Sequence, residues 1–238
     1  MIPSCLISIL GKMNRTVLIS GAGRGIGRAL AMFAAEQGAE VIALVRTSAE
    51  ATLPYETIEG IDVTDHAALE RVAGILRSRP IDLLISNAGV IGPERQSTLD
   101  MDFDGFRRTL EVNTLAPLRL AQTFLPNLRA ARDVAGIARI VTISSQMGRM
   151  NYSKSDRIAY RASKTAVNKL MQGLATDLAA EFIAVRVVDP GWVKTDMGGP
   201  QATVSIADAV AGIHERAWET NMDLTGTFVN YLGHPVSW

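Results

Sequence analysis

A chain of 238 residues, 47% apolar and 20% charged, has the makeup of a folded globular protein with a sizeable core. Lys+Arg and Asp+Glu balance at 24 each, so no net field and no basic run is present to draw nucleic acid or an anionic membrane surface. Cys5 is the only cysteine, which excludes an internal disulfide and fits a reducing, cytoplasmic setting.

Residues 1–12 read as a flexible leader and 13–238 as one domain. The apolar stretch Ile2–Leu10 lacks a basic flank and an Ala-x-Ala cleavage site, and it is too short to span a bilayer. Met13 is an alternative start. Beyond it, β-branched runs predict strands at Thr16–Ser20, Glu40–Val45, Thr57–Asp62, Ile81–Ser86, Arg139–Ser144, Ala184–Val188 and Thr227–Asn230. Longer patterns between them predict helices at Ile26–Gln37, His66–Ser78, Phe103–Thr114, Leu118–Ala131, Ala159–Glu181 and Ile206–Glu219. Runs such as Ile140–Ile143 do not alternate in polarity, as expected of strands covered on both faces. The order of elements predicts an α/β fold: a single-domain, Rossmann-type doubly wound parallel sheet of about seven strands with helices on both faces. Thr64 is a candidate helix cap, Pro117 suits a first helical turn, and Pro126 should kink or end its helix.

Between the first strand and first helix lies Gly21-Ala22-Gly23-Arg24-Gly25-Ile26-Gly27. It fails the spacing G-x-G-x-x-G, because Ile26 stands where the third glycine belongs. It fits G-x-x-x-G-x-G at Gly21, Gly25 and Gly27. A plain structural turn also uses glycine. Following a strand and opening a helix, though, the loop points to a dinucleotide, whose pyrophosphate seats on exposed N–H groups at the helix start. An NAD site usually ends its second strand in an acid. This strand ends Val45-Arg46-Thr47 instead. Arg46, helped by Arg24, suits a 2′-phosphate, so NADP(H) is preferred and NAD(H) stays open.

Tyr160 and Lys164 are four apart near the start of the longest helix, so both side chains can face one site. A free phenol titrates near pH 10. A nearby ammonium, joined by a positively charged nicotinamide, is expected to lower that value and suit Tyr160 to proton transfer. Tyr152 has no such partner, since its fourth neighbour is Asp156. Ser144-Ser145 closes a strand upstream, where a hydroxyl can bond a reacting carbonyl oxygen. Asn87-Ala88-Gly89 closes another strand, and Asn113 falls inside a helical stretch that its type disfavours.

In this order the motifs resemble the short-chain dehydrogenase/reductase family from about Arg15 onward: Gly21-x-x-x-Gly25-x-Gly27, Asp62-Val63, Asn87-Ala88-Gly89, Asn113, Ser145, Tyr160-x-x-x-Lys164 and Pro190-Gly191-Trp192-Val193-x-Thr195. The later segments are similar to its C-factor/sniffer-like carbonyl reductase branch. The resemblance implies an NADP(H)-dependent oxidoreductase acting on a small carbonyl or alcohol. Tyr160 would be the general acid/base, with Lys164 on the nicotinamide ribose. Ser145 would orient the substrate oxygen, and Asn113 would keep a relay water. Asp62 and Val63 would border the adenine, and Asn87, Ala88 and Gly89 would run along its ribose. Thr195, with the backbone near Val193 and the Pro190-Gly191 turn, would anchor the carboxamide.

Departures from the family pattern are the wide gap between Ser145 and Tyr160, filled by the polar stretch Arg149–Arg157, and Asp189 before Pro190. Ser144 is a rival to Ser145. Met147, Met150, Trp192 and Met197 flank the site loops as a candidate apolar wall, and Arg149, Lys154 and Arg157 as candidate anion contacts. His66, His214 and His234 lack metal-ligand spacing, so no metal is implied. Apolar residues on more than one face of the 159–181 helix, together with the family habit of pairing through it, predict a homodimer or homotetramer. The alternative function is a nucleotide-binding regulatory or signalling protein with little turnover.

Overall fold

The computed structural model describes residues 15–47, 52–77 and 79–238. The expectations for the 1–12 leader, Cys5, Met13 and Ser78 lie outside the described residues. The strands are β1 (Thr16–Ser20), β2 (Glu40–Leu44), β3 (Glu56–Ile58), β4 (Leu83–Ser86), β5 (Ala138–Ile143), β6 (Ile183–Asp189) and β7 (Thr227–Asn230). All pair in parallel, in the order β3-β2-β1-β4-β5-β6-β7. The order reverses between β1 and β4, which opens a crevice at their carboxyl ends where ligands of such sheets bind.

The helices are α1 (Gly25–Glu36), α2 (His66–Leu76), α3 (Phe103–Leu110), α4 (Ala116–Thr123), α5 (Leu125–Ala135), α6 (Ile158–Leu178) and α7 (Ile206–Glu219). Every residue of β1 and β6 is buried, which explains why their sequences do not alternate in polarity: each face is covered. Leu18, Ile42, Leu84, Ile140 and Val185 point to one face, under Leu69 of α2, Leu120 of α4, Leu128 of α5 and Met171 of α6. Val17, Ile19, Ala43, Ile85 and Val141 point to the other, under Leu30 of α1 and Ile213 of α7.

Three expectations change. Asp65, not Thr64, caps α2 by accepting the Ala68 N–H at 3.1 Å. Thr64 instead donates its hydroxyl to Asp62 at 2.7 Å. The predicted strand at Thr57–Asp62 is only Glu56–Ile58, because the chain then turns toward the Asp62 bend. The helices predicted at 103–114 and 118–131 are partitioned differently: α3 runs into α4 through a π-helical turn, Glu111–Leu115, and the break falls at Phe124. Pro117 sits in the first turn of α4 and Pro126 in that of α5, so each proline lies where its missing N–H is harmless. The ranges of β1, α7 and β7 match, and the remaining element ends differ by at most three residues. Among the described residues no helix is long and apolar enough to cross a membrane.

Candidate active site

The cradle at the carboxyl ends of β1 and β4 is built from glycine. Gly21 has φ +67° and Gly25 φ +55°, both left-handed conformations that side chains resist. A Cβ on Gly21 would come within 2.7 Å of the Ala88 Cα, and one on Gly27 would strike the Gly21 carbonyl and the Asn87 side chain. The Asn87 amide donates to the Ser20 and Gly21 carbonyls, each at 3.2 Å, so it staples β4 to the loop. Arg24 precedes α1 in extended backbone without a side-chain cap, and no acid stands in the first turn. The N–H groups at Gly25, Ile26 and Gly27 therefore face outward with the positive end of the helix dipole behind them. A pyrophosphate fits this arrangement.

Around the cradle the expected residues converge to different degrees. A Cβ on Gly25 would come within 3.7 Å of the Thr195 methyl carbon, so the glycine loop meets the loop after β6. The Thr195 hydroxyl accepts the Gly198 N–H at 3.2 Å, and Val193 is buried below it. Pro190 leads into Gly191 at φ +78°, against the Tyr231 ring. Arg46 is exposed at the end of β2. Arg24 pairs with Asp196 at 3.2 Å, tying the glycine loop to the 191–205 segment through an exposed ion pair. Val63 is buried. Asp62 has both carboxylate oxygens engaged: one accepts from the Thr64 N–H and hydroxyl, the other from Arg108 at 2.8 Å. Despite partial burial, these donors hold its pKa down at about 2.

At the other end of the crevice, α6 presents Tyr160 and Lys164, both buried. The Ser145 side chain lies near Tyr160 and lowers its pKa. Its Oγ accepts the Met147 N–H at 3.1 Å, and its O–H remains free to donate. Ser144 is turned away and donates to Asn168 at 2.6 Å.

Lys164 shares a face of α6 with Tyr160 and is also held from β5. Its ammonium donates to the Ile143 carbonyl at 2.9 Å and lies 5.8 Å from the Tyr160 ring centroid. Burial pushes Tyr160 up to about 12, countered by Ser145 and reinforced by the Asp189 charge, and burial pushes Lys164 down to about 8. The expected lowering of the phenol by the lysine is thus corrected for the protein alone: desolvation dominates, and the ammonium is anchored to β5.

Asn113 is fully buried in the π turn. Its amide exchanges hydrogen bonds with the backbone of Val90, 2.8 Å each way, and donates to Ser163 at 3.0 Å. Its side chain therefore fixes the segment after Gly89 to α6, and a π turn is a common way to aim such a residue. A Cβ on Gly89 would approach Asn113 Oδ1 at 3.4 Å and Lys164 Nζ at 3.8 Å, so the three meet.

Several participants carried no motif signal of their own. Gln96 is buried, accepts the Tyr160 N–H at 3.2 Å and donates to the Ile91 and Pro93 carbonyls. Ser163 lies within the Tyr160–Lys164 pattern and ties Tyr160, Asn113 and Thr114 together. Arg161, 8% exposed, organises the polar 149–157 stretch by bonding Asp156 and stacking on Tyr152. A cleft of about 520 Å³ opens beside Gln96, with Pro93, Arg95 and Arg157 on its walls; neither Ser145 nor Tyr160 lines it. Met150, Trp192 and Met197 are exposed around the same mouth of the sheet.

Comparison with known proteins bears on this architecture. The short chain dehydrogenase family model matches residues 15–204. C-signal of Myxococcus xanthus is 37% identical over 160 residues, 67% of this chain and 93% of that protein. Human L-xylulose reductase is 35% identical over 197 residues, 81% of this chain and 76% of that protein. Among solved structures, the carbonyl reductase Sniffer of D. melanogaster superposes with a TM-score of 0.86 at 27% identity, covering 95% of this chain and all of that one. The NADPH-bound carbonyl reductase from chicken fatty liver gives 0.83 at 28% identity, over 94% of this chain and 99% of its own. With the glycine cradle, the Ser145–Tyr160 contact and the parallel sheet that joins them, these matches lead to one conclusion: the chain belongs to the short-chain dehydrogenase/reductase family of oxidoreductases.

Proposed function

We propose that the protein is an NADP(H)-dependent reductase of small aldehydes or ketones in which Tyr160 hands a proton to the substrate oxygen. The observation that carries this reading is the convergence of the Ser145 hydroxyl, after the end of β5, with Tyr160 of α6, close enough that Ser145 lowers the tyrosine's pKa against its burial. The bound cofactor supplies or accepts the hydride.

In this reading Ser145 holds the carbonyl oxygen beside Tyr160, so that charge developing on it meets two donors. A neutral Tyr160, held so by burial, is in the form required for donation. Lys164 sits where it can reach a ribose hydroxyl while Ile143 and Asn113 orient the same corner. Asn113 serves through position, holding the Val90 backbone so that Gly89 stays open to the ligand. Gly21, Gly25, Ile26 and Gly27 take the pyrophosphate; Ala88 and Val63 border the nucleoside, with Asp62 and Asn87 keeping their loops in shape. Pro190, Gly191, Val193 and Thr195 close over the nicotinamide end. Arg46, with Arg24 released from Asp196, takes the 2′-phosphate. NADPH and NADP in carbonyl reductase and related structures of the same fold favour the phosphorylated cofactor.

Self-association through α6 completes the reading: a groove of about 390 Å³ runs along its outer side past Gln172, Gly173 and Thr176. We place the protein in the cytoplasm as a homodimer or homotetramer.

Following NADPH absorbance with a panel of small carbonyls, NADH in parallel, tests the proposal. Turnover with NADPH is expected. Tight NADPH binding without turnover of any carbonyl would favour the second reading, a nucleotide-binding regulator, to which the anchoring of Lys164 on Ile143 lends some support.

A further inference from the structure

Helix α6 begins without a cap of its own. Arg157, the residue before it, stands at φ +52°, a left-handed conformation uncommon outside glycine, and its side chain takes none of the first-turn N–H groups. The Arg161 N–H reaches back to the Arg157 carbonyl at 2.9 Å. The N–H groups of Ile158, Ala159 and Tyr160 precede that bond and have no acceptor within the helix. Gln96 supplies two acceptors from across the fold. Its backbone carbonyl takes the Ile158 N–H at 3.0 Å, and its side-chain oxygen takes the Tyr160 N–H at 3.2 Å. A residue 64 positions upstream thus fills the place that Ser, Thr, Asp or Asn usually holds at a helix start.

The Gln96 amide is committed on both sides. Its Nε2 donates to the Pro93 carbonyl at 2.7 Å and the Ile91 carbonyl at 3.1 Å. Turned over, the amide would set its NH₂ against the Tyr160 N–H and its oxygen against two carbonyls, so one orientation alone satisfies the network. The chain is wrapped closely around it: Gly92 has φ +91°, and a Cβ there would come within 3.0 Å of the Gln96 side-chain oxygen. Gln96 also pairs with Met101 in a single antiparallel bridge. Upstream, Asn113 holds both backbone groups of Val90 and donates to Ser163. Residues 90–96 are therefore tied to α6 twice, at Ser163 through Asn113 and at Tyr160 through Gln96.

Tyr160 is gripped at both ends of its backbone, by Gln96 at the N–H and by the Ser163 hydroxyl at the carbonyl, 2.7 Å away. Gln96 is 8% exposed, which leaves little room for water to replace its amide. We propose that Gln96 is a positioning residue of the reaction: it caps α6 across the fold and fixes Tyr160 against the segment that follows Gly89. The inference rests on the role proposed for Tyr160 and deepens it, because the place of the proton donor relative to the cofactor cradle is then set by this amide.

Gln96→Met keeps the side-chain length and removes the amide. In the full-length protein it should lower kcat for NADPH-dependent carbonyl reduction by about 10–10²-fold, the loss expected of a displaced proton donor, with the NADPH Kd within about twofold. Gln96→Glu keeps the acceptor for Tyr160 but, when ionised, turns a second oxygen on the Ile91 and Pro93 carbonyls; protonated, it can donate to one of them. Its kcat relative to wild type should recover as pH falls through the titration of that carboxyl, a recovery that Gln96→Met does not show. Amide hydrogen exchange followed by NMR reads the cap itself. The Tyr160 amide should exchange about tenfold faster in Gln96→Met, while the second half of α6 keeps its wild-type protection. Wild-type kcat in a folded Gln96→Met, no recovery in Gln96→Glu, or unchanged exchange at Tyr160 would overturn the proposal. If Gln96→Met does not fold, the pH profile of Gln96→Glu decides. If the wild type turns over no carbonyl, the reaction assigned to Tyr160 fails, while the exchange rates still decide whether Gln96 holds that residue.

Discussion

Ser145 and Tyr160 lie 15 residues apart in the chain, yet the serine side chain reaches the tyrosine closely enough to oppose the rise in its pKa caused by burial. Replacing Ser145 with Ala should therefore cut kcat for carbonyl reduction by about 10²-fold, the usual loss for one donor at a developing oxyanion. NADPH affinity, measured by fluorescence titration, should stay within about twofold, since Ser145 is not part of the phosphate cradle. Equal losses in affinity and kcat would place Ser145 elsewhere in the chemistry.

Arg46 is the test of cofactor choice. In Arg46→Ala the loss of a charge-assisted contact should weaken NADPH by about tenfold and leave NADH nearly unchanged. Dissociation constants for both nucleotides decide it. Arg24→Ala should add a smaller effect, because Arg24 must first leave Asp196.

Gly27→Ala is expected to damage the cradle itself. The added carbon meets the Gly21 carbonyl and the Asn87 amide, which hold the loop. Backbone overpacking of this kind costs about 1–3 kcal/mol, seen as a lower urea midpoint, and NADPH binding should fall with it.

Away from the site, Arg186 of β6 is buried and donates to Glu219 of α7 at 2.6 Å. Glu219→Ala leaves that guanidinium without its carboxylate and should cost about 3 kcal/mol by denaturant unfolding. Glu219→Gln, which keeps an acceptor, should cost less. A loss below about 0.5 kcal/mol for Glu219→Ala would show the pair behaves as a surface one.

Acid should destabilise the protein in two stages. His214 packs between Phe33 and Trp218 and accepts the Trp218 indole N–H at 3.0 Å; burial lowers its pKa. Its folded value lies below the unfolded 6.5, so stability is whole above that pH and declines below it as the unfolded chain takes up the proton first. Asp62 adds a second decline: its contribution is present above the ordinary value of 3.8 and is lost as pH falls through about 2. Because its side chain is 38% exposed, screening limits this to about 1 kcal/mol or less. Arg108→Ala should shrink the second decline and spare the first in a pH series of thermal midpoints.

Much of this was legible from residue order. The ranges of β1, α7 and β7 follow from their hydrophobic pattern to the residue. The glycine cradle was visible because its positive φ values and close backbone approaches leave no other residue type. What could not be read depends on contacts across the fold. The π turn at Glu111–Leu115 has no local signature; it is paired with the buried Asn113 side chain, whose partners lie at Val90 and Ser163. The four-residue spacing of Tyr160 and Lys164 placed them on one face but could not show that Ile143 holds the ammonium. Gln96 was silent because a lone glutamine in a loop looks solvated until the Tyr160 N–H is found against it.

The central claim is that Tyr160 donates the proton. The most direct measurement compares wild type and Tyr160→Phe for NADPH oxidation with the best carbonyl of the panel, alongside NADPH binding by titration. The account predicts that kcat falls by about 10²–10⁴-fold while the dissociation constant for NADPH stays within a few-fold, the signature of a lost general acid. Equal turnover by the two proteins would contradict it.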